Sequence, residues 1–284
     1  MLIRKAELES QQLQLIFQHV LQKKGKKVLA IDMDPQGNTT SGFGVDKNGI
    51  ENTLYELLLG EAETKDTIVK DVVENLDLIP SNINLSGAEI ELVGIDDKEF
   101  ILKGITDKLR RKYDYIILDC PPSLNMLTIN ALTAATSVLV PIQCEYYALE
   151  GLSQLIHTID LVKERLNKRL KMEGVVFTMY DARTNLSLQV VENVKENLNQ
   201  NIYKTIIPRN VRLAEAPSYG QPINIYDPKS AGAEATGFWQ RKCSTGRIIN
   251  GRKKKRSWQR LRCIFSRQNI CCQRTCQKDN NQKQ

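Results

Sequence analysis

The sequence predicts a doubly wound α/β fold with a mostly parallel sheet. Three observations carry that expectation. Apolar strand patterns alternate with helical ones from about Lys26 to Ala235. Such alternation closes into a parallel sheet with helices on both faces. Two of the strands run straight into acids, at Asp32 and Asp119. With 284 residues, 41% of them hydrophobic, the chain can build one large domain core or two small ones.

The strands expected from apolar runs are 27–32, 75–80, 114–119, 137–142, 173–179 and 203–207. Between them, 97–111 and 149–169 place apolar residues at helical spacing. After Ala235 the periodicity ends, and Arg, Lys, Gln, Asn and Cys dominate. That composition is expected to be disordered.

The net charge of +7 belongs to this tail. Gly237 to Gln284 hold 14 Lys and Arg against one acid, leaving 26 basic and 32 acidic residues before them, or −6. Five of the seven cysteines, Cys243, Cys263, Cys271, Cys272 and Cys276, also lie there. They form no C-x-x-C pair, and His19 and His157 are far away, which argues against zinc. No apolar run approaches the ~20 residues of a membrane span. The first residues include Glu7 and Glu9 and lack a signal peptide's apolar core. A cytoplasmic protein is expected.

Tyr115-Ile116-Ile117-Leu118-Asp119-Cys120-Pro121-Pro122-Ser123 has the form of a Walker B strand. A buried parallel strand of this kind delivers one carboxylate to a magnesium–nucleotide site. The plainer reading of Asp119 is an acid capping a turn. Asp32 and Asp34 alternate at the end of the strand 27–32, so one is expected to face the core and the other the ligand crevice. Gly37 and Asn38 supply a turn, and an ordinary Asx turn is the alternative. Pro208-Arg209-Asn210-Val211-Arg212 follows the last strand, at the carboxyl edge where open α/β sheets bind ligands. Arg183 lies in a similar loop. Two loop arginines suit phosphate-backbone contacts without sequence preference, or a solvated basic surface.

The runs Asp32–Asn38, Ile117–Ser123, Gln143–Leu152, Asp181–Leu186 and Pro208–Pro222 resemble the Soj branch of the ParA-type partitioning ATPases, a P-loop family with a deviant Walker A motif. The resemblance implies a dimerising, nucleoid-associated ATPase that uses ATP and Mg2+. It further implies nonspecific DNA binding and stimulation by a ParB-type partner, for a chromosome or a plasmid. By position, Asp34 matches the acid that places the attacking water and Asp119 the acid near magnesium. Pro208 and Asn210 fall in the loop beside the adenine. Arg183 and Arg212 match the DNA-contacting arginines.

The family opens with a strand and then K-G-G-x-G-K-[ST]-T, which Met1 to Lys24 lack. The first strand and phosphate loop are therefore expected to be missing. Codon arithmetic offers a reason. Shifted back one base, suitable codons for Met1 to Gln12 permit A-N-Q-K-G-G-V-G-K-S-T-T. Continuing through Leu13 to Leu21 permits T-I-N-L-S-A-C-L-A. The same shift at Ala235–Cys243 permits Y-R-[VI]-L-A-[EK]-[EK]-V, an amphipathic helix. The expected organisation is a frameshifted region 1–24, an ATPase domain 25–235 and a frameshifted basic tail 236–284, in a copy defective in ATP hydrolysis. The alternatives are a MinD-like membrane-cycling ATPase and a non-enzymatic nucleic-acid binder using Arg252–Arg256. The first needs a C-terminal apolar amphipathic helix, which the tail lacks in either frame.

Overall fold

The computed structural model describes residues 2–4, 25–121, 123–145, 148–198 and 200–243. Eight strands form one sheet: β1 (Leu2–Arg4), β2 (Val28–Asp32), β3 (Val69–Val73), β4 (Leu76–Ile79), β5 (Tyr115–Cys120), β6 (Ser137–Gln143), β7 (Lys171–Tyr180) and β8 (Ile202–Pro208). Their order is β3-β4-β2-β5-β1-β6-β7-β8. All neighbours are parallel except the β3–β4 pair. The fold is the expected doubly wound α/β type.

One part of the expectation is corrected. The first strand is present, as the three residues of β1, parallel to β5 on one side and β6 on the other. Leu2 to Arg4 fill the central slot, so the ladder there is not left open.

Alternation along the strands divides the core into two layers, because successive side chains point to opposite faces. Leu29 and Ile31 of β2, Leu118 of β5, Val138 and Val140 of β6, and Val175 and Phe177 of β7 belong to the larger cluster. Helices Leu54–Leu59, Leu85–Glu91, Ile101–Leu109, Met126–Ala134, Ala148–Arg165 and Asn185–Asn197 contribute many of its other residues. Val28, Ala30, Ile117, Leu139 and Val176 face the other way. They pack with Phe43, Ile207, Leu213, Ala216 and Ile223. Burial on both faces is what makes these strands read as continuous apolar runs.

Local sequence sets the helix starts. Thr53 and Glu56 form a capping box, with Glu56 Oε2 accepting from the Thr53 amide at 2.7 Å. Asn125 and Thr184 cap the helices that follow them. The last helix, Ala231–Cys243, runs across the boundary expected between 235 and 236. Thr236 on it is fully buried, its hydroxyl donating to the Gly232 and Ala233 carbonyls. The rest of the tail, with four of its five cysteines and Arg252–Arg256, lies outside the described residues, as do 5–24. Among the described residues, no helix is long and apolar enough to cross a membrane.

Candidate functional site

Winding reverses at β1, whose neighbours β5 and β6 lead to opposite halves of the sheet. Open α/β folds bind ligands in the crevice outside the strand ends at such a point. Asp119 sits there on β5. It is in register with Asp32 of β2 on one side and Ile3 of β1 on the other. All three expected acids are nearly excluded from water, Asp32 at 0%, Asp34 at 5% and Asp119 at 4% exposure.

Asp32 and Asp34 are not two alternating positions of one strand. The strand stops at Asp32, and Asp34 lies in the turn beyond it. Both therefore act at the same end of the sheet. Asp32 is a brace. Its Oδ2 accepts from the Thr40 amide and from the Thr40 hydroxyl, each at 2.8 Å, and its Oδ1 accepts from the Asp34 amide at 3.1 Å. Burial, and then the neighbouring Asp119 charge, push its carboxyl up to about 7, against the pull of those three donors.

Asp34 closes an Asx turn, its Oδ1 accepting from the Gln36 amide at 2.9 Å. Gly37 completes the reversal with φ 62°, its amide donating to the Asp34 carbonyl at 2.9 Å. A Cβ there would lie 2.7 Å from the Ser81 carbonyl oxygen, so only glycine fits the turn and the contact together. The short helix Asn38–Gly42 then brings Thr39 to Asp119, whose Oδ2 accepts from the Thr39 hydroxyl.

Ser81, just past the end of β4, ties these parts together. Its hydroxyl donates to the Asp34 carbonyl at 2.8 Å, and its amide donates to the Thr40 hydroxyl at 2.9 Å. Lys47 reaches over the turn and donates to the Gln36 carbonyl at 2.7 Å. The sequence analysis did not single out Thr39, Thr40, Ser81 or Lys47. Its one available signal was position, since Ser81 follows Pro80 at the carboxyl end of a strand, where Asp119 also stands.

Ser81→Ala is expected to destabilise the protein by about 1 kcal/mol, the net worth of one buried hydrogen bond. Urea titration checks this, and an unchanged midpoint would remove Ser81 from the network.

The loop residues lie at the same edge. Pro208 ends β8 beside Tyr180, the end of β7. Asn210 caps the helix Val211–Glu215, its Oδ1 accepting from the Arg212 and Leu213 amides at 2.9 and 3.3 Å. Arg183 and Arg212 are exposed, as expected for loop arginines, but neither is unpaired. Arg183 forks onto Asp181, with Nε–Oδ1 2.9 Å and Nη2–Oδ2 2.7 Å. Arg212 pairs with Glu215 at 2.8 Å and Asp227 at 3.6 Å.

Magnesium and a triphosphate can be tested against these groups. The acid side fits. Asp119, with the Thr39 hydroxyl beside it, offers the hard oxygen donors that Mg2+ takes, usually as one or two carboxylates plus water and phosphate. Among the described residues no three His, Cys, Asp or Glu side chains form a ready-made cage, which suits that mode. The side-chain amide nitrogen of Asn38, the first residue of the helix after this turn, is buried without a hydrogen-bond partner. The phosphate side does not fit. Residues 1–24 contain no glycine, so the sequence offers no Gly-rich cradle where the chain leaves β1.

The fold is a doubly wound α/β class, and the AAA domain family matches residues 14–172. Within that class the chain belongs to the Soj/ParA family of chromosome-partitioning ATPases. It is 58% identical over 210 residues to the sporulation initiation inhibitor protein Soj of Bacillus subtilis, covering 74% of this chain and 83% of that protein. It is 52% identical to the chromosome partitioning protein ParA of Myxococcus xanthus, covering 74% of each. Among solved structures, cobyrinic acid a,c-diamide synthase from Mycobacterium smegmatis, with bound ATP analog and magnesium, is 32% identical with TM-score 0.73. That match covers 89% of this chain and 98% of that one. A plasmid partition protein from Borrelia burgdorferi is 27% identical with TM-score 0.61, covering 81% and 98%.

Proposed function

We propose that this chain is a copy of a DNA-partitioning ATPase that has lost nucleotide turnover. In the working lineage, ATP drives dimerisation, the dimer binds DNA without sequence preference, and a ParB-type partner stimulates hydrolysis. The observation that carries this reading is the meeting of the Asp34 turn and Asp119 at the ends of adjacent strands β2 and β5. In that assignment Asp34 orients the attacking water and Asp119 faces the metal. Pro208 and Asn210 border the adenine, and Arg183 and Arg212 contact phosphates. Magnesium held there by Asp119 would supply charge neutralisation on the phosphates.

The loss of turnover is ascribed to residues 1–24, which stand where the phosphate loop would be and share none of its residues. We read this stretch, and the residues following Ala235, as translated out of frame. The buried Thr236 lies past that point and is packed within the last helix. The nucleotide sequence around codons 1–25 and 235–245 tests this directly. A one-base change restoring K-G-G-V-G-K-S-T-T supports the proposal, and no such solution overturns it.

DNA binding has its own test. Arg183→Ala with Arg212→Ala, in a protein with the frame restored and ATP present, is expected to weaken DNA binding. It should also flatten the salt dependence by about 0.9 per lost phosphate contact. Unchanged binding would show that other groups hold the DNA.

A further inference from the structure

The carboxyl edge of β7 and β8 carries three arginines, and each is bound to a carboxylate. Arg183 is held by Asp181, Arg209 by Glu145 at 3.2 Å, and Arg212 by Glu215 and Asp227. Within these pairs three cations stand against four acids. Nonspecific DNA affinity comes from cations that replace the counterions of phosphate, and an arginine already held by a carboxylate must first leave it.

The detail of the pairing sharpens the point. Asp181 accepts from Arg183 three times, from its backbone amide at 3.0 Å and from Nε and Nη2. That fork is the edge of the guanidinium that a phosphate would take bidentately. The pairing holds the Asp181 carboxyl well below the usual carboxylate range, so it stays ionised. The acid side chain is only 19% exposed, while that of Arg183 is 87% exposed. The arginine can therefore swing away while the acid stays in place. Glu215 is fixed as well, its Oε2 accepting from Arg212 Nη1 at 2.8 Å and from the Tyr226 hydroxyl at 3.1 Å. Tyr226 stacks on Tyr219 with ring centroids 4.9 Å apart.

We infer that Asp181 and the Glu215–Asp227 pair form an electrostatic latch that holds Arg183 and Arg212 from DNA phosphates. This rests on the proposed DNA contacts of those arginines. A phosphate must displace a carboxylate that then faces it with like charge. Exposed ion pairs are individually weak, so a duplex presenting many phosphates can open the latch while an isolated phosphate cannot. The latch sets a threshold on affinity and leaves the arginines able to bind.

The test uses the full chain with its upstream frame restored and ATP present, and a DNA duplex of random sequence, titrated from 50 to 200 mM salt. The tail's 14 basic residues contribute equally to every variant, so differences report this edge alone. Asp181→Asn, and separately Glu215→Gln with Asp227→Asn, are expected to tighten binding by about threefold or more. The log–log salt slope should steepen by about 0.9 for each arginine released. Adding Arg183→Ala to Asp181→Asn should abolish the first gain. Asp107→Asn is the control, since it frees Lys103 and Arg110 elsewhere with the same change in net charge as Asp181→Asn. Equal tightening by Asp107→Asn, or no tightening by the two latch variants, would overturn the latch. If Arg183→Ala with Arg212→Ala leaves wild-type binding unchanged, the DNA contacts themselves fail and the latch falls with them. Thermal melts of each variant confirm that the compared proteins are folded.

Discussion

Incubated with magnesium and ATP, this chain is expected to release phosphate no faster than protein-free buffer. A version with the upstream frame restored should turn ATP over. Phosphoryl transfer asks little covalent chemistry of the protein and depends on positioning and charge neutralisation. The restored loop would provide backbone N–H donors, a lysine on the phosphates and a hydroxyl on the metal. In this chain Asp32, Asp34 and Asp119 remain, all buried at the same strand ends. Without the loop, they meet a triphosphate with like charge and few donors to offset it. The presence of β1 sharpens the comparison. Leu2 to Arg4 keep the centre of the sheet paired, so a loss of turnover would reflect the missing cradle rather than a collapsed fold. Phosphate release and ATP affinity, measured on both proteins, decide the matter. Comparable magnesium-dependent turnover in the two would sink the frameshift account of function.

The two ends of this comparison differ in how legible they were. The central strands are readable because burial on both faces makes each an unbroken apolar run, as Val138 to Ile142 is, while β4 and β8 keep enough apolar residues to be read despite Asp77 and Lys204. β3 was not readable. It is an edge strand, half exposed, with Lys70 and Asp71 in its middle and Asp71 at φ 49°. β1 was not readable because three residues carry no period. At the site, Asp34 and Asp119 stood out as acids at the ends of apolar runs. Thr39, Thr40 and Ser81 did not, since small hydroxyl residues in loops read as turn formers. Their role appears only when β2, β4 and β5 are laid side by side. The acids on the loop arginines were hidden for a related reason. Glu145 is 64 residues from Arg209, and no local pattern links them.

Asp32→Ala is expected to cost about 3–5 kcal/mol, the largest effect of any single change at the site. The residue is fully buried, and its removal leaves the Thr40 amide, the Thr40 hydroxyl and the Asp34 amide without their acceptor. Each buried orphan costs about 1–3 kcal/mol, and relief of the repulsion with Asp119 returns part of the sum. Asp32→Asn should cost less, because it keeps one oxygen to accept from Thr40. The same residue gives a pH signature. Its carboxyl titrates near 7 in the folded protein and near about 3.9 when unfolded. Between those values the native state holds more protons than the unfolded one, so this residue's contribution to stability falls as pH rises through the window. That contribution is complete below the unfolded value and lost through the folded one. Urea denaturation of wild type and Asp32→Asn from pH 4 to 8 separates it from all other groups. The difference in stability between the two should shrink as pH rises, by up to about 1.4 kcal/mol per unit. A difference that stays constant across the range would mean that Asp32 is ionised throughout, and that the Thr40 and Asp34 donors outweigh its burial beside Asp119.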